Sequence, residues 1–145
     1  MVLADADRIE QVITNVLSNA LRYSPAHKEV RVHVASAPTT VRVSVRDEGP
    51  GLAPEDIKRI WNRFYRVKGI TSISGAGGGL GLGLHISRGI IERHKGAIGV
   101  DSIPGSGSTF WFTLPTLSGE APDGGLEAPG DDASEPVNTL GGERA

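Results

Sequence analysis

The sequence predicts an α/β fold, a two-layer sandwich in which helices cover one face of a mixed, mainly antiparallel sheet. Three observations lead to this prediction. A helix-period apolar stripe opens the chain, two valine runs with period-two alternation follow it, and two more strand-like segments come after a second helix. Strands at hairpin-like spacing pair antiparallel, so the helices collect on one face of the sheet.

The first predicted helix starts at about Asp7 and ends near Ser24 and Pro25. Asp7 with Glu10 three residues later has the form of a capping box. Apolar residues recur at spacings of three and four, which places them on one helix face: Ile9, Val12, Ile13, Val16, Leu17, Ala20 and Leu21.

The valines of residues 30–34 and of residues 41–45 alternate with other residues, which predicts two half-buried strands. A short loop around Pro38 joins them, so we expect a hairpin.

The second half of the domain repeats the helix-then-strand order. Pro54 suits the first turn of a short helix, and a second long helix runs from about Leu82 to His94, with Gly96 just past its end. Strands at about 98–102 and 109–114 complete the sheet.

Composition excludes several classes of protein. The chain has 145 residues, which favours one domain, and it has no cysteine for disulfides, thiolate zinc sites or a nucleophile. A formal net charge of -2 gives no general case for binding nucleic acid. No apolar run is long enough for a transmembrane helix or a signal peptide, so we expect a segment that is not inserted in a membrane.

The charge is unevenly distributed along the chain. Residues 117–145 contain seven acidic residues and one basic residue, whereas residues 1–116 contain 14 basic and 10 acidic residues. Residues 117–145 are also rich in Gly and Pro and lack aromatic residues. They offer too little apolar surface to offset the entropy of ordering, so we predict a folded domain at 1–116 and a disordered acidic tail at 117–145.

The polar face of the first helix contains two aligned asparagines. Asn15, Asn19 and Arg22 fall at i, i+4 and i+7, so their side chains lie on one side of the helix. A solvated polar face is the plain interpretation. Asparagine is, however, a poor helix former, and two in one row suggest oxygen ligands for a hard cation such as Mg²⁺, with Arg22 near a phosphate.

Two glycine-containing segments are candidate binding sites, one directly after a predicted strand and one directly before the second long helix. Residues 47–51 (DEGPG) come directly after a strand and suit a turn, or a site where Asp47 accepts a hydrogen bond from an adenine amine. Residues 75–84 run into the second long helix, where free backbone N–H groups favour phosphate. No strand precedes these glycines and no Gly-Lys-Ser/Thr is present, so neither a Rossmann nor a Walker loop is predicted.

Taken in order, four segments resemble the N, G1, F and G2 boxes of bacterial sensor histidine kinases. They are residues 15–25 (NVLSNALRYSP), 47–51 (DEGPG), 61–66 (WNRFYR) and 79–84 (GLGLGL). The ending GSGSTFWFTLP (105–115) is similar to that family's last strand. The resemblance covers residues 1–116 and implies a Bergerat-type α/β sandwich that binds ATP and Mg²⁺ beneath a mobile lid, here residues 67–78.

Matched position by position, the resemblance implies nucleotide contacts from the following residues: Asn15, Asn19, Arg22, Tyr23, Asp47, Gly49, Gly51, Arg63, Gly79, Gly81, Gly83, Leu84 and Thr109. Asn19 is then the main magnesium ligand and Asn15 assists it. Arg22 faces phosphate, and Tyr23 lies beside the nucleotide.

The remaining positions divide between the base and the phosphates. Asp47 takes the adenine amine, with Gly49 and Gly51 beneath the base and Thr109 supporting Asp47. The glycines of residues 79–83 bracket the phosphates.

Two further positions stand out: Arg63, for its expected contacts, and Leu80, for its departure from the family pattern. Arg63 is expected to contact phosphate or to help dock the partner domain. Leu80 stands where the family often has Ser or Thr, so a hydroxyl–phosphate bond is lost there and weaker binding is expected.

The resemblance also implies partners. The kinases phosphorylate a histidine on a separate helical dimerisation domain and then pass the phosphoryl group to a response regulator, in the bacterial cytoplasm. None of the four histidines lies in the acceptor motif, in which Glu or Asp and then Leu and Arg follow: His27, His33, His85 and His94. We therefore expect the acceptor domain on another chain or on a part not contained in this sequence, with membrane association through such a partner left open.

Three alternatives come from other classes. Gyrase-, Hsp90- and MutL-like ATPases place Glu at the position of Asn15, where it activates water, so hydrolysis is disfavoured here. Anti-sigma-factor serine kinases are standalone domains of about this size, but they also usually have Glu there and lack the segment 63–66. A non-catalytic nucleotide-binding module is the third.

Overall fold

The computed structural model describes residues 1–70 and 81–117. Two long helices, one short helix and four strands form there, in the predicted order: α1 (Ala6–Tyr23), β1 (Arg31–Ser36), β2 (Thr40–Asp47), α2 (Pro54–Arg59), α3 (Gly83–Arg93), β3 (Ile98–Ser102) and β4 (Ser108–Pro115). Most of the proposed lid (71–78), Gly79, Leu80 and the tail from residue 118 lie outside the described residues.

The sheet has the strand order β1-β2-β4-β3, and every described strand pair is antiparallel. Both long helices pack on one face of it, which confirms the predicted two-layer α/β arrangement. On β4 alternate residues are buried beneath the helices, so Phe110, Phe112 and Leu114 meet Val16 and Ile91 in the core. Within the described ranges, none of the helices combines the length and apolarity that crossing a bilayer requires.

The predicted cap of α1 is wrong by two residues, although the helix begins within one residue of the predicted start. Asp5, not Asp7, caps the helix, because the Asp5 carboxylate accepts hydrogen bonds from the Asp7 and Arg8 N–H groups at 3.1 and 3.3 Å. Asp7 lies inside the first turn, where its negative charge interacts favourably with the positive end of the helix dipole. The predicted end is confirmed, since Tyr23 is the last helical residue and Ser24 its C-cap.

The prediction of a half-buried β1 is also wrong. Val32 and Val34 are 54% and 61% exposed, although their strand neighbours Val45 and Val43 point to the same side of the sheet. The reason is that β1 is the edge strand: α1 lies over β2, and α3 lies over β3 and β4. Together the two helices cover β2, β3 and β4 and leave β1 uncovered.

The end of α3 has an uncommon backbone. The Gly96 N–H donates to the Ile91 carbonyl and the Lys95 N–H to the Glu92 carbonyl, both at 3.0 Å, which is the hydrogen-bond pattern of a Schellman motif. The residue in the left-handed conformation is Lys95, with φ 58, and not the glycine that follows it. Gly96 is needed for a different reason, because a Cβ there would lie 1.9 Å from the Thr113 carbonyl oxygen.

Replacing Lys95 with glycine is expected to raise the free energy of unfolding by about 0.5–1 kcal/mol, because glycine adopts the left-handed conformation without a Cβ clash. Chemical denaturation of the purified protein measures this. Lys95→Ala is the matched control: it removes the same charge but keeps a Cβ, so it should give no gain. Equal stabilisation by both variants would mean that the side chain, and not the backbone, is the cause.

Candidate functional site

A cavity of about 490 Å³ lies between α1, the ends of β2 and β4, and the start of α3. Nine of the predicted site residues line it: Asn15, Asn19, Arg22, Tyr23, Asp47, Gly51, Gly81, Gly83 and Leu84. These residues come from three separated segments of the sequence, and the packing of α1 against α3 is what brings them together.

Four predicted site residues are not among the cavity lining. Gly49 is buried behind Asp47, and a Cβ there would lie 2.8 Å from the Tyr23 carbonyl oxygen. Arg63 is exposed outside the cavity. Thr109 occupies the opposite face of the sheet, since β4 alternates and Ser108 has the inner position. Gly79 lies outside the described residues.

Asp47 forms one end of the cavity at the last position of β2. It is only 5% exposed, and one carboxylate oxygen, Oδ1, accepts the Gly49 N–H at 2.9 Å. Burial raises the pKa of Asp47, and backbone hydrogen bonds from Gly49 and Ser108 oppose that rise. The carboxyl group thus retains acceptor capacity toward the cavity, as recognition of an amine requires.

Ser108 is the neighbour of Asp47 that the sequence analysis missed. The two residues are paired in the β2–β4 register, and Ser108 lines the cavity. Ser102 Oγ donates to the Gly107 carbonyl at 3.0 Å, so Ser108 Oγ, 2.8 Å away, is the donor in the Ser102–Ser108 bond. Ser108 therefore offers lone pairs to the cavity. The alternation of apolar residues along 108–114 places Ser108 and not Thr109 on the inner face.

Lowering the pH is expected to weaken nucleotide affinity at a higher pH than an ordinary aspartate would allow, because the pKa of Asp47 is raised and protonation leaves a weaker, neutral acceptor for the amine. Stability should respond in the opposite sense. The pKa of Asp47 is higher in the folded than in the unfolded state, so the folded state binds the proton first. Lowering the pH through the range between these two pKa values therefore increases the contribution of Asp47 to stability. Nucleotide titrations and thermal melts over the same pH series measure both. Parallel loss of affinity and stability would contradict the assignment.

Gly51 keeps the turn after Asp47 open. Its φ is +72, and a Cβ would lie 2.2 Å from the Ile103 carbonyl oxygen, so a side chain is excluded on two grounds. Apolar residues line the same cavity: Leu52, Ile60 and Phe110. An apolar floor beside one carboxylate suits a flat heteroaromatic base with an exocyclic amine.

Amide and guanidinium groups also line the cavity. Asn15 and Asn19 line it together with Arg22 and with Arg66, which was not predicted. Asn15 Nδ2 donates to the Gly83 carbonyl at 3.2 Å and to Ser87 Oγ at 3.1 Å, so its Oδ1 is the atom left for a ligand. Two cationic side chains and neutral amide oxygens in one cavity suit a phosphate chain with a hard cation.

A divalent cation fits these donors only together with a phosphorylated ligand. In residues 1–70 and 81–117, no group of three or more His, Asp or Glu side chains is placed to hold a metal ion. Mg²⁺ typically takes one or two protein oxygens and completes its shell with phosphate and water. The amide oxygens of Asn15 and Asn19 match that limited role.

Residues 61–65 lie against the start of α3 at two points. The Arg63 Nε donates to His85 Nε2 at 3.2 Å, and His85 Nδ1 lies 3.1 Å from the Trp61 carbonyl oxygen, which makes Nδ1 the protonated nitrogen. The Phe64 N–H donates to the Gly81 carbonyl at 3.0 Å. The cavity wall and this segment are therefore held together.

Phe64 and Tyr65 point in different directions. Phe64 is 66% exposed and has a φ of 61, an uncommon backbone conformation for an aromatic residue. Tyr65 lines the cavity, and its hydroxyl bonds to the Asp56 carboxylate, which raises the pKa of Tyr65. Of the two, only Phe64 is available to a macromolecular partner.

Comparison with known proteins places this geometry in a family. Residues 4–118 match the family described as "Histidine kinase-, DNA gyrase B-, and HSP90-like ATPase". The chain is 42% identical over 113 residues to the sensor histidine kinase WalK of Bacillus subtilis, which covers 77% of this chain and 18% of that protein. It therefore spans less than a fifth of the length of that curated relative.

Solved structures give the same result. The nucleotide-free catalytic domain of the histidine kinase ThkA superposes with a TM-score of 0.67 at 34% identity, over 79% of this chain and 70% of that one. Full-length ShkA in complex with AMPPNP superposes with a TM-score of 0.69 at 34% identity, over 83% of this chain and 24% of that one. These relatives do not favour the serine-kinase alternative. The chain belongs to the histidine kinase-, DNA gyrase B- and HSP90-like ATPase family, as an ATP-binding catalytic domain of the sensor histidine kinase type.

Proposed function

We propose that this domain presents ATP and Mg²⁺ for phosphoryl transfer to a histidine on a separate dimerisation and acceptor domain, upstream of a response regulator. The observation that supports this most directly is the cavity itself, which is lined by a buried carboxylate, two amides and two arginines. The need for ATP favours the bacterial cytoplasm, with any membrane association through the partner.

The base end selects adenine. Asp47 accepts from the exocyclic amine, Ser108 offers a second acceptor beside it, and Gly51 with the apolar floor leaves room for the ring. Because both polar groups face the base as acceptors, a base with a carbonyl at the same position is disfavoured.

The phosphate end orients the group to be transferred. Asn19 and Asn15 supply oxygens to the cation, and Arg22 and Arg66 supply positive charge to the phosphates. Mg²⁺, when bound, neutralises phosphate charge during transfer. Gly81 and Gly83 line the same end, where backbone N–H groups at the start of α3 favour an anion.

Hydrolysis of ATP by the domain alone should be slow. Among the described residues that line the cavity, Asp47 is the only carboxylate, and it lies at the base end. Asn15 cannot take a proton from water. Transfer of the phosphoryl group therefore needs a nucleophile that another domain supplies.

The acceptor domain is expected to dock at Phe64. This side chain is exposed beside Arg63 and does not line the cavity. Exposed aromatic residues next to an arginine are typical of residues that dominate binding energy at interfaces.

Calorimetry tests the cation site through Asn19→Ala. We expect wild-type protein to bind ATP more tightly with Mg²⁺ than with EDTA, and Asn19→Ala to lose about tenfold in affinity only when Mg²⁺ is present. The matched control is Asn62→Ala, because Asn62 is exposed and does not line the cavity. If Asn19→Ala retains the full Mg²⁺ dependence, the cation assignment is wrong.

A further inference from the structure

Ser87 lies on α3 one turn after Gly83 and is completely buried. Its Oγ is 3.1 Å from Nδ2 of Asn15, and the Gly83 carbonyl oxygen is 3.2 Å from the same nitrogen. One amide group of α1 is therefore held by two acceptors on α3, 68 and 72 residues further along the chain.

These contacts determine which way the Asn15 carboxamide faces. The Gly83 carbonyl can only accept a hydrogen bond, so the NH₂ group must face α3. The oxygen then takes the other position of the planar amide. Gly83 leaves that oxygen uncovered, since a Cβ at residue 83 would stand 3.7 Å from Asn15 Oδ1.

We propose that Ser87 is a positioning residue: its hydroxyl, together with the Gly83 carbonyl that sets which end of the amide faces α3, holds the Asn15 carboxamide in place, so that Asn15 offers the nucleotide-bound cation an oxygen and not an N–H. The effect on the cation rests on the proposed function, whereas the contacts of the Asn15 amide are seen in the structure itself. Ser87 is not among the residues that line the cavity, so it acts only through Asn15.

The second acceptor matters because the amide has two N–H donors. With Ser87 present, both can be satisfied on α3, and rotation of the amide would place Oδ1 against the Gly83 carbonyl oxygen and an N–H toward the cation. Without the Ser87 hydroxyl, one donor has no partner on α3, and turning the amide away from α3 costs less. A cation then meets an oxygen ligand for a smaller fraction of the time.

Ser87→Ala is the principal variant. We expect a three- to tenfold weaker apparent Mg²⁺ affinity in ATP titrations, on the order of one lost hydrogen bond, and unchanged ATP affinity in EDTA. Ser87→Cys, which is slightly larger but keeps a weak acceptor, should lie between wild type and Ser87→Ala. In an Asn15→Ala background, Ser87→Ala should have no further effect on Mg²⁺ dependence, because the residue it positions is gone.

Nuclear magnetic resonance of the nucleotide-free protein gives a readout that does not need Mg²⁺ or ATP. The Asn15 side-chain NH₂ signals should show slowed hydrogen exchange in wild type and faster exchange in Ser87→Ala. Ser24→Ala is the matched control: it also removes a buried serine hydroxyl, one without a hydrogen-bond partner in the described part of the chain, and should change neither measurement.

The outcomes separate this inference from the proposed function. Wild-type protein that binds no ATP would reject the proposed function, while the Asn15 amide signals would still decide the role of Ser87. Normal Mg²⁺-dependent binding in both Ser87→Ala and Ser87→Cys, with Asn15 exchange unchanged, would overturn the inference and leave the proposed function intact.

Discussion

Mixing the purified domain with labelled ATP and a cognate helical acceptor domain is expected to give acid-labile phosphohistidine on the acceptor, and no stable label on the domain itself. Transfer needs the phosphoryl donor and an in-line nucleophile held together. The cavity provides for the donor, but none of its lining residues in the described ranges is a histidine.

Phe64→Ala is the variant that isolates docking. Phe64 is exposed and does not line the cavity, so we expect nucleotide affinity to be unchanged and transfer to the acceptor domain to fall about tenfold or more. Val34→Ala is a suitable control, because Val34 is a similarly exposed apolar residue on the distant edge strand.

Two outcomes would count against this view of the reaction. Acid-labile label on a histidine of the isolated domain would show that no separate acceptor is needed. Acid-stable label on a serine of a partner would instead favour the serine-kinase alternative.

The second large effect is expected from Asp47→Asn, which should weaken ATP affinity by about 1–3 kcal/mol, or roughly 5- to 150-fold. The Gly49 N–H, which now donates to Asp47 Oδ1, would hold the oxygen of the new amide. Its NH₂ group is then directed to the cavity, where a donor meets the donor of the adenine amine.

Inosine triphosphate makes this test specific for the base. Its six-position carbonyl accepts a hydrogen bond, so Asp47→Asn should bind it better relative to ATP than wild type does. Asp101→Asn is the matched control, because Asp101 is exposed on β3 and paired with Arg42. Wild-type affinity and base preference in Asp47→Asn would remove Asp47 from the base site.

Local sequence patterns were sufficient for much of the fold and part of the site. Helical periodicity alone places Asn15, Asn19 and Arg22 on one side of α1, and strand alternation places Asp47 at the end of β2. Such patterns depend on the geometry of a single element, which the chain encodes over a few residues. The cap of α1 was predicted less well, because Asp5 and Asp7 are the same residue type and either can cap a helix.

Only the tertiary structure decided the features that depend on two elements at once. Whether Val32 and Val34 are buried depends on how many strands two helices can cover, and Ser108 becomes the neighbour of Asp47 through the β2–β4 register. The bond between Asn15 and Ser87 joins residues 72 positions apart. The sequence by itself determined which side chains were available and on which face of their own element, whereas long-range packing, with no local periodicity to signal it, determined which of them meet.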